Sequence, residues 1–140
     1  MTRRNSRELA LQVLFQREFM PLSSPEELIR LYEQNLSLGN EVVEYSKILV
    51  TSVMTHQEAI DTLLQKYSIN WNIKRLSLVD LNILRIAVCE MIYLQVTDAV
   101  PAKSVINEAI EIAKKYSSLE APGFVNGILD QVLNKELGND

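Results

Sequence analysis

The stretch LVDLNILRIAVCEMIYL, Leu78 to Leu94, is an apolar run broken only by Asp80, Asn82, Arg85 and Glu90. Drawn as a helix it is apolar on nearly every side, and a helix without a polar face is one that other helices surround. It is therefore expected to be the central strut of the fold. Its charged residues need partners, because a charge is rarely left buried alone. Arg85 is expected to pair with Glu90 or Glu108 and knit helices together. Asp80 lies nearer the helix start, where it either does the same or faces out as a carboxylate among apolar neighbours, suited to a partner contact.

The segments on either side read as helices too. Three of the four prolines fall where a helix would begin. Ser24-Pro25-Glu26-Glu27 combines a capping hydroxyl, a proline suited to the first helical position and acids that favour the helix dipole. This predicts a helix over about 25–37, ended by Leu38-Gly39. Asn40 is placed to cap a third helix running to about Lys66, bent near Thr55-His56, with Val42, Val43, Ile48, Leu49, Val53, Ile60, Leu63 and Leu64 at helical spacing.

Residues 67–77 are mixed, with Ile69 and Trp71 as loop anchors. Thr97 to Pro101 is an extended link, since a residue before proline is pushed out of the helical region. Pro101 opens a helix to Tyr116 with Val105, Ile106, Ala109, Ile112 and Ala113 facing in and a Glu111–Lys115 pair outside. Pro122 opens the last, faced by Phe124, Val125, Ile128, Leu129, Val132 and Leu133. Gly127 within it suggests a close second backbone, and the tail 138–140 is expected to fray. The fold class is thus all-α, six to seven helices around one core, a single domain over 1–140.

At the N-terminus, Arg3, Arg4 and Arg7 precede or share the first turn of a helix that Leu9, Leu11, Val13, Leu14 and Phe15 root in the core. Arginines on the tip of an anchored helix suit a phosphate backbone; solvated charge near a terminus is the plainer reading. The net charge of -4 argues against a protein that coats nucleic acid everywhere, because such binding neutralises phosphates with Lys and Arg. A local basic site remains open: residues 1–7 carry three Arg and no acid, whereas residues 24–46 carry five Glu against one Arg. The helix start at Pro122 also offers backbone N–H groups and a positive dipole end to a phosphate.

Catalysis finds little to work with. His56 stands amid Thr, Gln and Glu and is expected to be exposed or loosely capping, with no partner to orient it as a base. Cys89 reads as a small buried hydrophobe. There is no P-loop, no dinucleotide fingerprint and no Glu-x-x-His pairing, so neither cofactor nor metal is expected, and the chain is not expected to be an enzyme. A single cysteine, no apolar run of membrane-spanning length and no secretory signal point to a cytoplasmic protein that does not enter membranes.

Four stretches, in order and spacing, resemble the NusB family of bacterial transcription antitermination factors: RRNSRELALQVLFQ at 3–16, LVDLNILRIAVCE at 78–90, VPAKSVINEAIEIAKKY at 100–116 and FVNGILD at 124–130. The resemblance covers essentially the whole chain. It implies two three-helix bundles sharing a long axis, and a non-enzymatic adaptor that binds boxA RNA together with the small-subunit ribosomal protein NusE and helps RNA polymerase resist termination. Some members form homodimers that cover the RNA-binding surface.

By the same resemblance, Arg3, Arg4 and Arg7 would contact RNA phosphates, in a motif that Asn5 and Ser6 interrupt. Phe15 and Asp80 would face NusE. Tyr116, Glu120 and Phe124 would border the RNA path, where an aromatic can stack on an unpaired base and the Glu120 carboxylate would tune binding downward. Two other readings stand beside this one: a purely protein-binding helical adaptor, and a detached RNA-binding module of a ribosomal RNA methyltransferase.

Overall fold

Helix α4, Leu78–Val88, buries every side chain from Leu81 onward, and a π-helical turn, Cys89–Tyr93, continues it. The computed structural model describes residues 2–19, 24–68, 73, 76–94 and 101–138. Around the strut stand α1 (Thr2–Arg17), α2 (Pro25–Leu36), α3 (Asn40–Tyr67), α5 (Ala102–Tyr116) and α6 (Ala121–Glu136). The first three helices pack on one another, as do the last three, and α4 joins the two groups through α1 and α3. Buried side chains of all six helices form one apolar cluster. The all-α architecture read from periodicity is the one observed. Ile69, Trp71, Thr97–Val100 and Asn139–Asp140 lie outside the described residues.

The caps follow from local chemistry. Ser24 Oγ accepts from the Glu27 N–H ahead of α2, and Ser77 Oγ accepts from the Asp80 N–H ahead of α4, each satisfying a donor the helix leaves open. Helix α2 ends earlier than Leu38-Gly39: Ser37 adopts the left-handed region at φ 52° and returns its N–H to the Glu33 carbonyl. Gly39, extended at φ -73° and ψ 160°, precedes α3 at the capping position expected of Asn40, which is already helical. Helix α3 is continuous through Thr55 and His56.

The strut's polar residues are satisfied, although not by the partners expected. Arg85 forms a two-pronged pair with Asp61 of α3, Nε to Oδ1 at 2.9 Å and Nη2 to Oδ2 at 2.8 Å, and its Nη1 reaches Asn82 and Glu18. Glu90 cannot share that arginine, since five residues along an α-helix turn a side chain about 140° around the axis. Asn82 Nδ2 donates to the Leu78 carbonyl at 2.9 Å.

Other inward assignments also change. Ile48 is 48% exposed, on the outer face of α3. Lys114, not Lys115, pairs with Glu111, because Lys115 turns to Glu8. Gly127 is exposed, and nothing lies within 4 Å of where a Cβ would stand, so no second backbone approaches it among the described residues. His56 is half-buried, stacked on the Tyr93 ring at 3.9 Å between centroids and 10° between planes, with Nδ1 3.0 Å from the Ser52 carbonyl. It belongs to the packing between α3 and the π turn.

Candidate nucleic-acid interface

Helix α1 carries no acid in its first turn, and the three arginines near its start enter three different environments. Ser6, fully buried, donates to the Val42 carbonyl and turns that face of α1 onto α3. Arg7, one residue on, is drawn inside with it. Its guanidinium grips Glu90, Nε to Oε1 at 2.6 Å and Nη2 to Oε2 at 2.9 Å, and it is 5% exposed. The Tyr45 hydroxyl donates to Glu90 Oε2 at 2.6 Å, so the carboxylate meets a fork on one side and a phenol on the other. Burial, and then the bond to Glu90, hold the Tyr45 hydroxyl far above its ordinary range, so it stays a donor.

Arg3 lays its guanidinium over the Tyr45 ring, 3.5 Å from the centroid, a cation–π arrangement. Arg4 is far more accessible than Arg7: 38% exposed, it presents Nε and Nη2 to Oε1 and Oε2 of Glu108 on α5, both at 2.8 Å. Arg7 Nη1 stands 3.7 Å from the same carboxylate. The hydrogen bond from Arg4 holds the Glu108 carboxyl below the usual glutamate range.

A further link runs along this end. Glu8 accepts from Lys115 Nζ at 2.9 Å and from the Tyr116 hydroxyl at 2.8 Å, tying the last turn of α5 to the first helix. Burial and this bond raise the Tyr116 hydroxyl, whose ring remains partly exposed. The structure therefore brings Tyr116 to the arginine end. Glu120 and Phe124 lie elsewhere: with Leu76, Ser77, Ser118, Ala121 and Asp80 they line a hollow of about 290 Å³. Asp80 is half-buried at its edge and accepts from Ser117 Oγ at 2.5 Å. Leu119, 99% exposed, projects from the same loop. Helix α6 starts beside it with no side-chain cap. Phe15 is outside this hollow, its ring tilted on that of Phe19 with centroids 5.4 Å apart.

Tyr45, Glu90 and Glu108 fix where the arginines point, Glu8 ties Lys115 and Tyr116 to the same helix, and the sequence does not single these four out as site residues. The available signal is Glu90: an acid within an apolar run demands a buried cation, and the first helix holds three arginines within its first six residues.

The frame of six helices seen among the described residues has known counterparts. The model of the NusB family matches residues 4–134. The chain belongs to the NusB family. A transcription antitermination protein NusB from Bdellovibrio bacteriovorus is 48% identical over 130 residues, covering 93% of this chain and 93% of its own. Among solved structures, T. maritima NusB superposes with a TM-score of 0.80 at 34% identity, over 95% of this chain and 91% of that one. A chain from a crystal structure of the antitermination factors NusB and NusE in complex with dsRNA superposes with a TM-score of 0.79 at 31% identity, over 92% and 93%. No helix among the described residues is long and apolar enough to cross a membrane.

Proposed function

We propose that this NusB-family chain is a non-enzymatic transcription antitermination factor of the cytoplasm that binds boxA RNA together with NusE and helps RNA polymerase resist termination. The observation that carries the reading is the accessible Arg4 fork at the start of α1, in a fold shared with a NusB–NusE assembly on dsRNA. A guanidinium fork held by a carboxylate is shaped equally for a phosphate. Arg3 and Arg4 are the arginines we assign to RNA, with Tyr116 at the same end. Glu120 and Phe124 border the RNA path from the hollow they share with Asp80. Asp80 and Phe15 are assigned to NusE, and Arg7 to bracing the arginine end from within.

Titration with boxA RNA at two salt concentrations, with and without NusE, tests this reading. It requires binding that weakens with salt and strengthens with NusE. Binding of NusE without any RNA affinity would favour the protein-binding adaptor instead.

A further inference from the structure

Glu108 does to Arg4 what a phosphate would do. Its two oxygens meet Nε and Nη2 at 2.8 Å each, the parallel fork geometry that arginine offers to carboxylates and phosphates alike. The neighbouring Arg7 Nη1, 3.7 Å away, completes a second positive contact. The two arginines are not equally free to change partners. Arg7 is locked by Glu90 in the interior, whereas Arg4 and Glu108 meet at the surface, with side chains 38% and 24% exposed. Glu8 and Glu111 also bear on the Arg4 charge, but Glu8 is engaged by Lys115 and Tyr116, and Glu111 by Lys114. Glu108 alone of these three acids takes the fork.

We propose that the Glu108 carboxylate occupies an RNA phosphate subsite, and that RNA binding is an exchange in which a backbone phosphate takes the Arg4 fork from Glu108 while Arg7 stays in place. The exchange rests on the RNA-binding reading above and adds the residue that regulates it. Glu108 weakens binding twice: it must be displaced, and once displaced it leaves a negative charge beside the phosphate. An anion that cannot match the fork displaces Glu108 less readily than one that can, so the pair filters weak polyanion contacts.

The test is a boxA RNA oligonucleotide titrated against the wild-type protein, Glu108→Gln, Glu111→Gln, Arg4→Ala and the double variant Arg4→Ala/Glu108→Gln. Glu108→Gln should tighten binding about two- to five-fold, the scale of one surface ion pair. Glu111→Gln, which removes the same charge without touching the fork, should do less. In the Arg4→Ala background the gain should vanish, as coupling between the two residues requires. Equal gains from both single variants, no gain from Glu108→Gln, or a gain that survives loss of Arg4 would each overturn the exchange while leaving RNA binding itself intact. A wild-type protein with no affinity for the RNA would instead remove the nucleic-acid reading and the exchange with it. Should Glu108→Gln lose its helical circular dichroism, the Arg4 Nε–H resonance of the wild-type protein decides: it must shift on adding RNA, and a fixed resonance under saturating RNA refutes the proposal.

Discussion

Arg7 in the first helix and Glu90 in the π turn, 83 residues apart, close a buried two-pronged ion pair at 2.6 and 2.9 Å. The pair separates two roles that a cluster of arginines in a sequence would merge. Removing one member of a buried pair leaves the other charge stranded, at about 3–5 kcal/mol. Arg7→Ala should therefore lower the denaturant midpoint sharply. Arg4→Ala should lower the midpoint far less and instead weaken RNA binding, flattening its salt dependence by about one phosphate contact. Equal midpoints for the two variants would contradict this division.

Asp80 sits in the first turn of α4, its carboxylate held by Ser117 and its backbone N–H by Ser77. A lysine there meets the helix dipole unfavourably, by about 0.3–1 kcal/mol, too little to unfold the chain. Asp80→Lys is expected to abolish NusE binding by calorimetry while circular dichroism is preserved. Undiminished affinity would move the interface away from this edge.

Gly127 occupies an exposed position in α6 with open space where a Cβ would go. Alanine there should stabilise the fold by about 0.5–1 kcal/mol, by restricting the unfolded chain more than the folded one. A destabilised Gly127→Ala would mean that this face packs against something in solution.

The Cys89 thiol is pushed up to about 11, by burial first and by the Glu90 charge as well, against the opposing hydrogen bond with Ser52. At pH 8 its thiolate fraction is on the order of one in a thousand. Native protein should resist a disulfide reagent that labels the denatured chain at once; prompt native labelling would show that the strut opens.

Glu108 titrates below the ordinary glutamate value of 4.5, chiefly because of its hydrogen bond from Arg4. A depressed carboxyl stabilises the fold above the ordinary value and loses that contribution as pH falls through the folded one. The thermal midpoints of wild type and Glu108→Gln should therefore keep a constant gap down to pH 4.5 and converge below it. A gap that persists undiminished to the acid limit of folding would count against the ion pair.

Periodicity reveals the set of helices and the apolar faces of α5 and α6, since Val105 to Ala113 and Val125 to Leu133 turn inward as spaced. Ile48 fails for a physical reason: α3 is long and only one side of it meets other helices, so an apolar residue on the far side stays wet. The ion pairs are the least legible part. That Glu90 needs a cation is implied by its neighbours, but whether the cation comes from Arg85 or Arg7 depends on angles around two helices and on Asp61, 24 residues from Arg85, claiming that arginine for itself. The arginine end is visible as composition. Its division into a braced, a stacked and an exchangeable arginine requires the third dimension.

The π turn after α4 closes with the Leu94 N–H on the Cys89 carbonyl at 3.0 Å, one residue further back than an α-helix reaches. Such a turn holds one residue more than the α turn it replaces without rotating the chain beyond it. Chain length is therefore negotiable by one residue at this point of the strut: losing one there restores an ordinary turn and keeps Leu94 in phase. The same loss upstream, between Asn82 and Arg85, would swing everything after it by about 100° and take Glu90 away from Arg7. Single-residue gaps among related chains are expected to collect at the turn and to be absent from the helix before it.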